Sequence, residues 1–179
     1  ELSEVFQGKR YGHIYSRISN PTVSALEKRI NSLENGVASI AVGSGMAAIN
    51  TAIQAIVGSG DHIVASKSIF GGTTHLFEDV LSRINIEVSF IDPLNEEEIK
   101  AAIKENTQLI FVETIGNPKL DICNIDSVSK LAEEAGIPLI VDATLTPPSI
   151  FNGKEQGASV VIHSSTKYMS GSENVVGGV

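Results

Sequence analysis

The 179-residue sequence has a single cysteine, Cys123, so no disulfide can form within the chain. One unpaired thiol is typical of a reducing compartment, and we expect a cytoplasmic protein. Long apolar runs are also missing, because none approaches the ~18–20 residues that a membrane-spanning helix needs. Residues 1–5 lack the basic and apolar regions of a secretory signal. These absences predict a protein without a membrane partner.

Basic residues are scarce relative to acidic ones, with 13 Lys and Arg against 21 Asp and Glu and a formal net charge of -8. A general nucleic-acid binder needs a basic surface, so we expect no nucleic-acid partner. A local cationic pocket for one phosphate group is still compatible with this charge. The four histidines have no metal-ligand spacing, and we expect no metal site: His13, His62, His75 and His163.

Short apolar runs of strand length alternate with amphipathic stretches of helix length. The predicted strands are Ser39–Gly43, His62–Ser66, Glu87–Asp92, Leu109–Glu113, Leu139–Asp142 and Ser159–His163. Several of them are apolar on both faces, as buried parallel strands are. The pattern predicts an α/β fold of three layers, with a mostly parallel sheet and helices on both faces.

Helix signals separate these strands. Asn20-Pro21 predicts a helix start, with Leu26, Ile30 and Leu33 on one face. Asn95 and Glu98 have the spacing of a capping box. A further stripe begins at Ile125 and ends at Gly136.

One domain over residues 21–179 accounts for the alternation of strands and helices. An extended segment, residues 1–20, precedes it. The chain opens without Met in what resembles the middle of a helix. It stops at Val179 where a strand could begin, so we expect a partial chain.

The loops after the strands hold the candidate site residues, since ligands of such sheets bind beyond the carboxyl ends of the strands. Gly43-Ser-Gly-Met-Ala-Ala48 lies between a predicted strand and a helix, where glycines and free N–H groups favour a phosphate. The same motif also fits a dinucleotide site, with Asp61 at a suitable distance for a ribose. A tight turn without a ligand is the third interpretation.

Two further loops carry charged groups. Asp142 ends an apolar strand, where a desolvated acid needs a positive partner such as a protonated pyridine nitrogen. Lys167 follows the next strand in His163-Ser-Ser-Thr-Lys-Tyr168, and a lysine among hydroxyls suits a phosphate and an amine nucleophile. A turn-capping acid and a solvated lysine are the alternatives.

The other candidates supply aromatic, cationic and amide groups. Tyr15 and Arg17 could both reach an anion from an extended segment, although a surface ion pair is an alternative. Phe70 could stack on a flat ring or pack in the core. Asn117 could donate to a ring oxygen or lie in a simple turn.

Taken in order, these motifs resemble the Cys/Met-metabolism family of pyridoxal-phosphate (PLP) enzymes, which has fold type I. The resemblance rests on the motifs Tyr15-Ser-Arg-Ile-Ser-Asn-Pro-Thr22, Gly43-Ser-Gly-Met-Ala-Ala48, Phe70-Gly-Gly-Thr73, Glu113-Thr-Ile-Gly-Asn-Pro118, Val141-Asp142 and His163-Ser-Ser-Thr-Lys-Tyr168. They span nearly the whole chain. The family's C-terminal domain, with its arginine for the substrate carboxylate, is absent from the sequence, so we expect this chain alone to be inactive.

The resemblance implies a role for each residue. Lys167 would hold PLP as a Schiff base and later move protons, and Asp142 would pair with the pyridine nitrogen. Phe70 would stack on the ring, and Asn117 would contact its hydroxyl. The phosphate would be held by Gly45, Met46, Ser164 and Thr166. Tyr15 and Arg17 would bind the phosphate of a neighbouring subunit's cofactor, which implies a dimer or tetramer.

Within the family, residues 12–22 and Thr146-Pro147-Pro148 are most similar to O-acetylhomoserine sulfhydrylases. This similarity implies an amino-acid substrate and a sulfur nucleophile, with sulfide replacing the acetoxy group to give homocysteine. Cystathionine γ-synthase and methionine γ-lyase are neighbouring alternatives. Phe70 stands where many members have Tyr, and Ser172-Glu173 departs from the family pattern.

Two alternatives lie outside the family. A nicotinamide-dependent oxidoreductase would use Gly43–Ala48 and would not need Lys167 or Asp142. A non-catalytic fragment would keep the fold and bind no cofactor.

Overall fold

The computed structural model describes residues 2–172 and 174–179. Five parallel strands in these ranges form one sheet: β1 (His62–Ser66), β2 (Glu87–Ile91), β3 (Thr107–Glu113), β4 (Leu139–Asp142) and β5 (Val160–Ile162). Their order across the sheet is β2-β1-β3-β4-β5. Each crossover between parallel neighbours needs a connection over a sheet face, and helices supply most of these connections.

Within the described residues, six α-helices accompany the sheet: α1 (Leu2–Phe6), α2 (Pro21–Leu33), α3 (Gly45–Gln54), α4 (Gly71–His75), α5 (Glu96–Ala102) and α6 (Ile125–Ala135). A π-helical turn (Leu76–Val80) and a 3-10 turn (Leu81–Ile84) extend α4 toward β2. Two apolar clusters pack on opposite faces of the sheet, one under α3 and the α4 region and the other under α5 and α6. The predicted three-layer α/β fold is therefore confirmed.

Alternating side chains within each strand build the two clusters. Leu109 and Phe111 of β3 lie in the first cluster, whereas Ile110 and Val112 lie in the second. All four are fully buried, which explains why β3 has no polar face. The Phe111 ring meets Phe77 edge to face, with ring centroids 5.2 Å apart.

The predicted helix ends are mostly confirmed. Asn20 caps α2 by accepting from the N–H groups of Thr22 and Val23, and Gly136 ends α6 in the left-handed conformation. In α5, Asn95 accepts from the Glu98 N–H as a capping box requires. The Glu98 carboxylate instead accepts from the backbone N–H of Asp92, so the reciprocal half of the box is absent.

One predicted strand, Ser39–Gly43, is wrong. Only Val42 of this segment pairs with another residue, in an isolated antiparallel bridge with Gly178. The strand expected to begin near Val179 is likewise limited to this bridge. The N–H of Ala41 donates to the Glu27 carboxylate at 2.9 Å, and a side chain thus takes the place of a neighbouring strand. The apolar side chain of Ile40 is 68% exposed.

The segment before α2 is not uniformly extended. The helix α1 occupies Leu2–Phe6, and turns follow around residues 7–10 and 16–18. The apolar face predicted for α2 is only partly buried, since Ile30 is buried while Leu26 and Leu33 are exposed. Whether residues 1–20 act separately from residues 21–179 stays a prediction.

Candidate active site

A cavity of about 290 Å³ lies at the carboxyl ends of β1, β3, β4 and β5. Seven of the predicted site residues line it: Gly45, Met46, Phe70, Asn117, Asp142, Ser164 and Lys167. They come from five loops that are distant in sequence. Four of these segments lie at the ends of β1, β3, β4 and β5, which the parallel sheet places at one edge, and the fifth leads into α3. A larger cavity, of about 600 Å³, lies beside β5 and residues 36–42, and none of the predicted site residues lines it.

Asp142 is buried at the end of β4, where its Oδ1 accepts from the Thr144 N–H at 2.9 Å and the Thr144 hydroxyl at 2.6 Å. Burial raises the pKa of Asp142, and the two Thr144 hydrogen bonds offset part of this effect. A cation placed against this carboxylate would favour its ionised form. Asp142 therefore has the environment of an acid that needs a positive partner.

Glu113 is a second buried acid in the cavity, and the sequence reasoning did not select it as a site residue. It ends β3 directly beside Asp142 in the register of the sheet. Its carboxyl accepts from the Phe70 N–H at 2.8 Å and from the Asn117 N–H. Burial raises the pKa of Glu113 to about 8, and these two donors and Asp142 have smaller effects. Its position at the end of an apolar strand, like that of Asp142, was a signal that could have found it.

The N-terminus of α3 borders the cavity next to Ser164. A Cβ atom added at Gly45 would lie 2.6 Å from the Ser164 Cβ, so only glycine allows this close approach of two loops. The N–H groups of the first helical turn have no intrahelical acceptor, and the hydroxyl of Ser44 accepts from only one of them, that of Ala47. The helix thus presents an anion-binding end where a phosphate was predicted.

The loop after β5 carries Ser164, Thr166 and Lys167. Lys167 lines the cavity and is exposed, while Ser164 is half-buried. Thr166 does not line the cavity, and its hydroxyl donates to the Gly177 carbonyl and accepts from the Gly177 N–H. The Thr166 hydroxyl is thus bonded to the backbone of Gly177, and its contact with the phosphate stays a prediction. Glu173, part of the Ser172-Glu173 departure from the family pattern, lies outside the described residues.

Phe70 and Asn117 approach the cavity from the loops after β1 and β3. Phe70 is 47% exposed, so it is not the core residue of the alternative interpretation. Its ring lies over Gly72, where an added Cβ would meet the ring at 2.5 Å. Asn117 is exposed and precedes Pro118 in a cis peptide bond. Both positions are compatible with contact to a flat ligand in the cavity.

Tyr15 and Arg17 lie away from the cavity of their own chain. The guanidinium of Arg17 stands 5.2 Å from the centroid of the Tyr15 ring, and Tyr15 is 53% exposed. This contact replaces the surface ion pair of the alternative interpretation. The cavity lining also contains apolar and hydroxyl residues without a sequence prediction: Ile49, Ile115, Thr144 and Leu145.

Residues 2–172 and 174–179 contain neither a metal-ligand cluster nor a helix able to span a membrane. No cluster of three or more potential metal ligands occurs there. None of the helices in these ranges has the length and apolar character needed to cross a membrane.

The whole chain, residues 1–179, matches the family model of the Cys/Met metabolism PLP-dependent enzymes, and the chain belongs to this family. Among its relatives, O-acetyl-L-homoserine sulfhydrylase of Leptospira meyeri is 41% identical over 99% of this chain and 40% of its own length. Cystathionine gamma-lyase of Bacillus subtilis is 43% identical over 96% of this chain and 45% of its own length. The chain thus spans less than half the length of these curated relatives.

Solved structures agree with the fold. The structure named metB from Corynebacterium glutamicum superposes with a TM-score of 0.91 at 43% identity, over 94% of this chain and 44% of its own. A Campylobacter jejuni protein solved with N'-pyridoxyl-lysine-5'-monophosphate gives 0.92 at 35% identity, over 98% and 44%. The predicted family and PLP as its cofactor are confirmed, and the dinucleotide alternative is excluded.

The cavity fits this cofactor on chemical grounds. It combines a lysine amine, a buried acid whose ionisation a pyridinium would favour, and the N-terminus of a ten-residue helix for a phosphate. These groups belong to separate loops, so one ligand can contact all of them only at this edge of the sheet.

Proposed function

We propose that the protein catalyses γ-replacement on an O-acylated homoserine and, specifically, that it is an O-acetylhomoserine sulfhydrylase. The observation that carries the proposal is that Lys167, Asp142, Ser164 and the N-terminus of α3 border one cavity. The relatives named as sulfhydrylases support the choice of substrate. Relatives named as lyases are equally similar in identity, so elimination is the competing outcome of the experiments below.

The proposed roles follow from position and chemistry. Lys167 would bind the cofactor aldehyde, and Asp142 would pair with the pyridine nitrogen. When bound, PLP supplies an electron sink for negative charge that develops at the substrate Cα. Lys167 is the only lysine among the cavity residues in the described ranges, and its amine is proposed to take and return the protons at Cα and Cβ. Gly45, Met46 and Ser164 would hold the phosphate through N–H and hydroxyl donors, and the same role stays predicted for Thr166.

Phe70 gives the cavity an aromatic wall without a hydroxyl. Stacking on the ring needs only the aromatic face, which Phe70 provides. Phe70 therefore has no proton to transfer, and proton transfer is proposed for Lys167. Tyr15 and Arg17 are proposed to serve the cofactor of a neighbouring subunit, since they lie away from their own cavity.

The first test uses visible absorption of the purified protein, as its gene encodes it, before and after borohydride reduction. We expect a yellow chromophore that reduction fixes to the peptide containing Lys167. Lys167→Ala should abolish the chromophore and reduce turnover by about 10³-fold, because it removes the amine proposed to hold the cofactor and to move the protons. Lys130→Ala is the control, since Lys130 pairs with Asp126 on the surface of α6. A Lys167→Ala variant with an unchanged, reducible chromophore would refute the assignment.

The second test identifies the reaction. We expect homocysteine from O-acetylhomoserine and sulfide, with a smaller kcat/KM for release of methanethiol from methionine. Formation of cystathionine from cysteine as the only product would make the enzyme a synthase of the cystathionine type. Efficient methanethiol release without homocysteine formation would assign γ-elimination instead.

A further inference from the structure

Glu34 and His163 form a buried contact that the proposed reaction does not use. Glu34 is the residue that ends α2, and His163 follows β5 directly. Their side chains are 8% and 1% exposed, and the His163 Nε2 lies 2.6 Å from the Glu34 Oε1. The contact joins residues 129 positions apart in the chain. It is therefore a tertiary contact that the chain forms only in the folded state.

The hydrogen bonds determine how many protons this contact holds. The Nδ1 atom of His163 lies 3.1 Å from the Ala143 carbonyl oxygen, which can only accept, so Nδ1 carries a proton. The 2.6 Å separation on the other side of the ring requires a second proton between Nε2 and Oε1. Both an imidazolium with a carboxylate and a neutral imidazole with a carboxylic acid satisfy this requirement. In either form the pair has no net charge, which makes its burial tolerable.

The His163 ring belongs to a closed circuit, meaning a ring of hydrogen bonds and backbone, that contains Asp142 and Ser164, two of the proposed cofactor contacts. Ala143, which accepts from the ring, follows Asp142, and Ser164 follows His163. The circuit is completed by Thr144, whose hydroxyl donates to Asp142 at 2.6 Å and accepts from the Ser164 N–H at 2.8 Å. The ends of β4 and β5 are therefore linked twice, once through the His163 ring and once through the Thr144 hydroxyl.

Glu34 contacts this circuit through the His163 ring and does not itself line the cavity that contains Lys167. Its second carboxyl oxygen accepts from the Gly153 N–H at 3.2 Å, so the carboxyl is anchored by the loop before β5.

We propose that Glu34 and His163 are a positioning pair, sharing one proton, that holds Asp142 and Ser164 in register for the cofactor. The inference rests on the proposed function, because it needs Asp142 to meet the pyridine nitrogen and Ser164 to meet the phosphate. Neither member of the pair is a catalytic residue. They act through the backbone of Ala143 and Ser164.

The test compares His163→Gln with His62→Gln in the protein as its gene encodes it. His62 is the matched control: it is fully buried, and its ring bonds Thr107 and Ser89 at the opposite end of the sheet. We expect His163→Gln to raise the Kd for PLP about tenfold and to change the visible circular dichroism of the bound chromophore. His62→Gln should lower the Tm but leave the Kd and the dichroism unchanged.

A second comparison at Glu34 does not depend on how well His163→Gln folds. Glu34→Gln keeps a side chain of the same length, whose amide can donate to a neutral His163 Nε2, so we expect a Kd within about threefold of the unaltered protein. Glu34→Ala removes the partner and should match the tenfold loss of His163→Gln. Equal Kd values and spectra in Glu34→Ala, His62→Gln and the unaltered protein would overturn the positioning role. A protein without any reducible chromophore would instead contradict the proposed function itself.

Discussion

Glu113 shows how much one buried side chain affects the candidate site. Its carboxyl accepts from the backbone of both the Phe70 loop and the Asn117 loop, each of which contributes a cavity residue. The two loops also touch, since a Cβ added at Gly116 would meet the Ser68 carbonyl oxygen at 2.5 Å. Glu113 thus fastens the two loops that are proposed to lie around the cofactor ring.

The raised pKa of Glu113, about 8 in the fold, predicts a pH dependence of stability. The unfolded chain releases this proton near pH 4.5 and the folded chain near pH 8. The free energy of unfolding therefore falls as the pH rises between these values, by an amount on the order of a few kcal/mol. Below pH 4.5 both states bind the proton, and this carboxyl adds no further pH dependence.

Glu113→Gln should flatten this dependence, because glutamine does not titrate. Urea unfolding at pH 5 and pH 8 measures the difference. Glu97→Gln removes an exposed acid from α5 and serves as the control. A slope between pH 5 and 8 that is the same in Glu113→Gln and the unaltered protein would show that Glu113 does not keep its proton in the fold.

At the scale of elements, the helix α3 and the loop after β5 must approach closely to form the proposed phosphate site. Gly45→Ala places a Cβ 2.6 Å from that of Ser164 and so forces the two apart. We expect an increase in the Kd for PLP of about tenfold, measured by titration of the apoprotein followed by absorbance.

Gly58→Ala is the matched control for Gly45→Ala. Its added Cβ would meet its nearest neighbour, the Asp61 Oδ2, at an ordinary 3.8 Å. We expect its affinity for PLP to stay within about twofold of the original. An unchanged Kd in Gly45→Ala would mean that the close approach is not needed for phosphate binding.

The elements also show where sequence patterns succeed. The strands β1 to β5 were predicted to within two residues at each end, because buried parallel strands are continuous apolar runs. The segment Ser39–Gly43 has the same apolar character but no strand beside most of it, and Glu27 takes one of its N–H groups. Apolar character predicts burial and extension, whereas pairing depends on a neighbour that the local sequence does not specify.

At the scale of the whole molecule, the cavity of one chain contains neither Tyr15 nor Arg17. Ile18 and Leu26, which follow them in the sequence, are exposed apolar side chains of the kind that interfaces cover. We propose that a second copy covers this region and that Tyr15 and Arg17 of one copy reach the cavity of the other. The dimer is a proposal that a mixing experiment can test.

Arg17→Ala and Lys167→Ala should complement each other when the two chains are expressed together. Each mixed dimer then has one intact site, so about a quarter of all sites recover activity in an equal mixture. Arg17→Ala with Tyr15→Ala is the matched control and should recover none, because both sites of that dimer remain altered. If mixed dimers of Arg17→Ala and Lys167→Ala recover no turnover, Arg17 does not serve the site of the neighbouring subunit.

The sequence by itself determined the alternation of strands and helices, the family and most of the cavity residues, because each depends on local order or on a short motif. Only the tertiary structure decided that Thr166 bonds Gly177, that Glu113 lines the cavity, and that Glu34 reaches His163. These contacts join residues from 11 to 129 positions apart. Burial, charge and proton sharing arise from which distant groups the fold places together, and local patterns do not contain that information.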